Sequence, residues 1–141
     1  MEAYNKILVP IDVFSSYEQI IERALKLAGS PQDIHLSYVA YPQTNLEPYG
    51  LFLERDFSDE VRSQALSKLR EIAEVYNIPT SHANVEIGAP ADEIHHLADK
   101  ISADLIVIGT HGQSGLKLLL GSTANAVLHG VKVDVLAVKV E

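Results

Sequence analysis

A chain of 141 residues with 47% apolar and 21% charged side chains has the makeup of one globular domain that can bury a core. Its net charge of −8, with 11 scattered Lys and Arg, argues against nucleic acid as a partner, because phosphate backbones are held by clustered cations. The lack of cysteine excludes disulfides, thiolate metal sites and a thiol nucleophile, and no apolar run approaches the roughly 18 residues of a membrane span.

The start, MEAYNKILVPID, is acidic and moves straight into a strand pattern, unlike a signal peptide, so the cytoplasm is the expected compartment. Lys6 to Asp12 is a continuous apolar run, which suits a central parallel strand buried on both faces. Pro10 is tolerated because the ladder is finishing there. Ser15 as N-cap with Glu18 three residues on predicts a capping box. The helix that follows presents Ile20, Ile21, Ala24, Leu25 and Ala28 on one face and stops at Gly29.

Asp33 to Tyr41 reads as a second strand, and Pro42 to Glu54 as an irregular excursion over the sheet edge. A second helix is predicted from about Asp56 to Ser58 onward to Tyr76. Its stripe is Val61, Ala65, Leu69, Ile72, Ala73 and Tyr76, and Asn77 and Pro79 end it. Ala83 to Ile87 is a short third strand. Gly88 and Pro90 open a third helix with Ile94, Leu97, Ala98 and Ile101 inward. Asp104 to Ile108 is the fourth strand. Ser122 to His129 is the fourth helix, with Ala124, Val127 and Leu128 at helical spacing and Gly130 as its stop. Val131 to Val140 closes the chain as a valine-rich strand.

This alternation argues for an α/β domain with a mainly parallel sheet. Ligands in such sheets sit beyond the carboxyl ends of the strands, at the switch point. Two loops stand at such ends: Pro10 to Phe14, and Gly109 to Gly121. Within the second, Gly109, Gly112, Gly115 and Gly121 precede Ser122 and Thr123. A buried strand, a glycine loop and a hydroxyl-bearing helix start together form a plausible phosphate cradle. Corner-turning between strand and helix explains the same glycines.

KILVPID, EIGAPADEI, and ADLIVIGTHGQSGLKLLLGSTANAVLH followed by VDVLAVKV resemble the universal stress protein family, over essentially the whole chain as a single domain, 1–141. The resemblance implies a five-stranded parallel sheet of order 3-2-1-4-5 with helices on both faces, Rossmann-like and akin to the adenine nucleotide alpha hydrolases. Strands 1 and 4 would then be neighbours, and their loops would flank one crevice.

Many members of the family bind ATP through Gly, two residues, Gly, nine residues, then Gly with Ser or Thr. Gly109, Gly112, Gly121 and Ser122 match, but only eight residues separate Gly112 from Gly121. The departure falls where the loop must reach the phosphates. Carried over, the family's site places Pro10, Ile11 and Asp12 on the adenine and ribose side, and Val39 against the adenine edge through its backbone. Gly109, Thr110, His111, Gly112, Gln113, Ser114 and Gly115 would wrap ribose and phosphates. Gly121, Ser122, Thr123 and Ala124 would hold phosphate at the helix start. Asp12 could orient a hydrated Mg²⁺ or Mn²⁺; as a strand-end Asp it could equally cap a turn.

Other chemistries fit poorly. Among six histidines, His95 and His96 are adjacent and lack the i, i+4 spacing of a helical zinc pair. Neither Ser114 nor Ser122 sits in a Gly-x-Ser-x-Gly elbow. The loop lacks the Gly-Lys-Ser/Thr of a P-loop, and the first strand lacks Gly-x-Gly-x-x-Gly. His111 and Lys117 could face a phosphate or solvent, and Leu118 to Leu120 reads as core packing. A non-enzymatic protein is expected, with at most slow ATP hydrolysis. The last strand would lie at a sheet edge, and the resemblance implies a homodimer through Val133 to Val140. The leading expectation is an ATP-binding stress or regulatory dimer, with protein partners not specified by the sequence. The alternatives are a nucleotide-free interaction adaptor and a sensor of AMP or another adenine nucleotide.

Overall fold

The first apolar run becomes the centre of a sheet. Strand β1 (Ile7–Pro10) has Ile7, Leu8 and Val9 wholly buried, as a run apolar on both faces requires. The structure, a computed structural model, describes residues 4–40, 50–111 and 122–140, and only the backbone at 50–58, 111, 122 and 123. Around β1 stand β2 (Ile34–Ala40), β3 (Ala83–Ile87), β4 (Leu105–His111) and β5 (Asp134–Val140). All pairings are parallel and the order is 3-2-1-4-5.

Helices α1 (Glu18–Leu27) and α2 (Gly50–Val75) cover one face, and α3 (Pro90–Ile101) and α4 (Ser122–Leu128) the other. Strand residues alternate between the two faces. Ile7, Val9, Leu36 and Val107 pack against Ile21, Ala24, Leu69 and Ile72. Leu8, Ile106 and Ile108 pack against Ile94, Leu97 and Val127. Each such side chain removed from water contributes about 1.5–3 kcal/mol, so both layers hold the sheet. No helix among the described residues is long and apolar enough to cross a membrane.

Helix ends follow local chemistry. Asn77 closes α2 in the left-handed conformation (φ 61°). Its N–H donates to the Glu74 carbonyl at 3.2 Å, and the Ile78 N–H reaches back to Ala73 at 2.8 Å, a Schellman pair with Ile78 buried beneath it. Ser102 (φ 59°) ends α3 in the same way, with the Ala103 N–H on the Ala98 carbonyl at 2.9 Å. Gly130 follows α4 at φ 79°.

Four expectations are corrected. Helix α2 starts at Gly50 rather than at Asp56 to Ser58, because the run from Leu51 to Phe57 holds no breaker and several good helix formers; the rest of the expected excursion, residues 42–49, lies outside the described residues. Ser15 forms no capping box. Its N–H donates to the Asp12 carbonyl at 3.1 Å, and α1 begins two residues after Ser16 behind an N-cap at Tyr17 without a side-chain cap. Gly29 is not a left-handed stop, since Ala28 already leaves the helix extended and bridges to Tyr4. Leu128 is 43% exposed rather than inward.

Candidate functional site

The two central strands part company early. The β1–β2 ladder runs from Ile7↔Ile34 to Pro10↔Ser37, and the β4–β5 ladder from Leu105↔Asp134 to His111↔Val140. Between β1 and β4 only Ile7↔Leu105 and Leu8↔Ile106 are paired. Beyond those rungs β1 and β4 no longer pair, which leaves Pro10 on one side and Ile108 to Thr110 on the other without ladder partners across the gap. The Ile11 N–H donates to the Ser37 carbonyl at 2.8 Å, and peptide groups along a strand alternate between neighbours. The missing N–H of Pro10 therefore faces the open side, where it costs no ladder bond. This is the switch-point position, between strands whose crossovers go to opposite faces.

The expected site residues divide by face. Val39 and Ala124 pack with the α3/α4 layer, and Ala124 is 2% exposed, so only its backbone is free to meet a ligand. Thr110 lies two residues beyond Ile108 and so shares its face; its hydroxyl donates, at a long 3.5 Å, to the Val138 carbonyl. The Ile11 side chain packs instead in the α1/α2 core, at 6% exposure. Gly109, Thr110 and His111 are the last residues of β4 rather than the start of a loop. A Cβ on Gly109 would stand 2.6 Å from Ile20 Cδ1 and 3.1 Å from Val140 Cγ2. Close packing of α1 and β5 across β4 thus explains this glycine by itself. Gly112, Gln113, Ser114, Gly115 and Gly121 lie outside the described residues, as do Lys117 and Leu118 to Leu120. Ser122 and Thr123 open α4 as expected.

Asp12 takes the turn-capping role. Its Oδ1 accepts the Phe14 N–H at 2.9 Å while its carbonyl accepts that of Ser15, an Asx turn. Burial, and secondarily the Asp12 charge, push the Tyr38 phenol above its usual range, keeping it a protonated donor. Two residues went unremarked in the sequence. Phe14, 63% exposed, meets Tyr38 edge-on with ring centroids 5.7 Å apart; the bulky aromatic just past a strand-end Asp was its only signal. Ser37 is wholly buried beside Pro10, and its Oγ has no partner among the described residues. Nothing local marks such a serine.

No group of three or more metal-ligating side chains occurs among the described residues. His95 is committed to a structural contact, with Nε2 2.8 Å from the Val127 carbonyl.

Comparison with known proteins agrees with this architecture. The Universal stress protein family matches residues 3–139. Universal stress protein A homolog 2 of Coxiella burnetii is 36% identical over 146 aligned residues, covering 100% of this chain and 99% of that protein. The structure of the universal stress protein UspA from Lactobacillus plantarum superimposes with a TM-score of 0.78 at 20% identity, over 98% of this chain and 99% of that one. A universal stress protein solved in complex with cAMP gives a TM-score of 0.64 at 25% identity, over 99% and 100% of the two chains. With a family match along nearly its entire length and the same strand order as the family fold, the chain belongs to the universal stress protein family.

Proposed function

We propose that this protein binds an adenine nucleotide, ATP first among them, in the crevice between β1 and β4, and acts as a regulatory dimer in the cytoplasm rather than as an enzyme. The observation that carries this reading is the early end of the β1–β4 ladder at Leu8↔Ile106 while both flanking ladders continue. Facing backbone edges are thereby left open beside the Gly109–Ser122 motif. The base would lie against Pro10 and Val39, and the phosphates at the start of α4, where unpaired N–H groups and the helix dipole favour negative charge. Any Mg²⁺ or Mn²⁺ would ride on the phosphates, with Asp12 reaching it through water. The Asp12 carboxylate at the crevice is engaged by the Phe14 N–H, so turnover would be slow. Strand β5, at the sheet edge, would pair with its copy along Val133 to Val140.

The eight-residue spacing between Gly112 and Gly121 favours a second reading, in which only the proximal phosphate is held and AMP or a cyclic monophosphate suffices. The related protein complexed with cAMP supports it. Calorimetric titration of ATP, ADP and AMP with and without Mg²⁺ separates the two. Gly121→Asp with Ser122→Ala should abolish binding without unfolding the domain. Unchanged affinity would remove the site from this loop. No binding of any nucleotide by the parent protein would leave an interaction adaptor as the function.

A further inference from the structure

At the other end of the sheet, on the α3/α4 face, a second cleft of about 420 Å³ opens where α3 ends and the Gly130–Val133 connection enters β5. This volume falls at the small-metabolite end of ligand pockets, which run from roughly 300 to 1,000 Å³. Its floor is apolar, made of buried Ala98, Ala103 and Ile106. Its rim carries Asp99 and Ser102 from the end of α3 and Lys132 from the connection.

Charge narrows the ligand class. Helices α3 and α4 both point their carboxyl ends this way, so the backbone contributes partial negative charge, and Asp99 adds a full one. The His95 Nε2 faces the Val127 carbonyl at 2.8 Å. A carbonyl only accepts, so Nε2 carries a proton toward it and is not available to a ligand. This wall disfavours phosphates and other bare anions. Lys132 disfavours a simple cation. Among the described residues, neither Asp99 nor Lys132 has an ion-pair partner, so each is free to meet an opposite charge on one ligand.

We propose that this cleft binds a free aliphatic α-amino acid. Its ammonium group lies toward Asp99, its carboxylate toward Lys132 and the Ser102 hydroxyl, and its side chain on the Ala98–Ala103–Ile106 floor. The site is separate from the nucleotide crevice and stands whether or not that crevice is filled. Because the charged groups are exposed, each contact is weak, and a dissociation constant on the order of 1 mM is expected for a small ligand.

The test is an amide NMR titration of the full chain with L-leucine, L-valine and L-alanine, alongside 4-methylvalerate and isoamylamine, which each lack one charge of leucine. Leucine should shift the amides of Ser102, Ala103, Gly130 and Val133 saturably, and either single-charge analogue should bind at least about threefold more weakly. Asp99→Asn should weaken leucine but not 4-methylvalerate, and Lys132→Met should weaken leucine but not isoamylamine, because each variant removes a charge that repels the analogue it is paired with. Saturating ATP should leave the leucine titration unchanged. The proposal is overturned if none of the three amino acids shifts these amides, or if the analogues bind as well as leucine. It is equally overturned if both variants bind like the parent, or if the shifts fall at Ile11 and Asp12 and at Gly109 to His111.

Discussion

Gly109 separates a packing role from a ligand role, and a two-residue cycle measures it. A Cβ there would lie 2.6 Å from Ile20 Cδ1, 3.2 Å from Ile20 Cγ1 and 3.1 Å from Val140 Cγ2, the nearest about 1 Å inside a normal carbon–carbon contact. Ile20 is 3% exposed within the α1/α2 core, so it cannot swing into water to make room. Overpacking of this kind costs about 1–3 kcal/mol. Gly109 is not left-handed, so alanine also gains about 0.4–1 kcal/mol by restricting the unfolded chain. Gly109→Ala should therefore destabilise by about 1–2 kcal/mol. Ile20→Val deletes the clashing Cδ1 at its own cost of about 0.5–1.5 kcal/mol. The double variant should be more stable than the sum of the singles predicts, by about 1 kcal/mol. Urea unfolding followed by circular dichroism, at one protein concentration so that self-association does not enter, reads all four corners. Additivity within about 0.5 kcal/mol, or a Gly109→Ala variant as stable as the parent, would refute the packing account and return this glycine to the ligand.

Asn77 holds φ 61° at the end of α2, so Asn77→Ala should cost about 1 kcal/mol in thermal unfolding while Asn77→Gly should be neutral or stabilising; equal effects would deny the left-handed cap. Asp104 accepts the N–H groups of Asn5 and Lys6 at 2.9 and 3.0 Å, tying the start of the chain to β4, and Asp104→Ala should lower stability by about 1–2 kcal/mol in denaturant titration. His35 stacks on His82 with centroids 3.8 Å apart, and burial first, then His82 and Lys6, depress its pKa to about 4. The unfolded state, near pKa 6.5, binds the proton first as pH falls, so this contribution is intact above about pH 6.5 and is lost toward pH 4. His35→Gln should shrink the difference in urea midpoint between pH 7.5 and pH 4.5, and an unchanged difference would assign the acid sensitivity elsewhere.

Burial period, breakers and caps are local properties, and the sequence by itself determined what depends on them. The third strand falls at Ala83–Ile87 as read, and Ile20, Ile21, Ala24, Leu69, Ile94 and Leu97 all face inward. Asn77 ends α2 and Gly130 follows α4 because their backbone requirements are met within a few residues. The family resemblance, carried by short motifs, also supplied the 3-2-1-4-5 order. What only the tertiary structure decided depends on neighbours distant in the chain. Strand β4 runs on through Gly109 to His111 because β5 pairs with it as far as Val140 and Ile20 packs against its glycine. The face on which Ile11 falls sets its side chain in the α1/α2 core, while Val39 packs with the α3/α4 layer. The crevice itself exists because one ladder stops at Leu8↔Ile106 while its neighbours continue. Where a ladder ends is fixed by the relative paths of two strands about a hundred residues apart, and no local period in either strand records it.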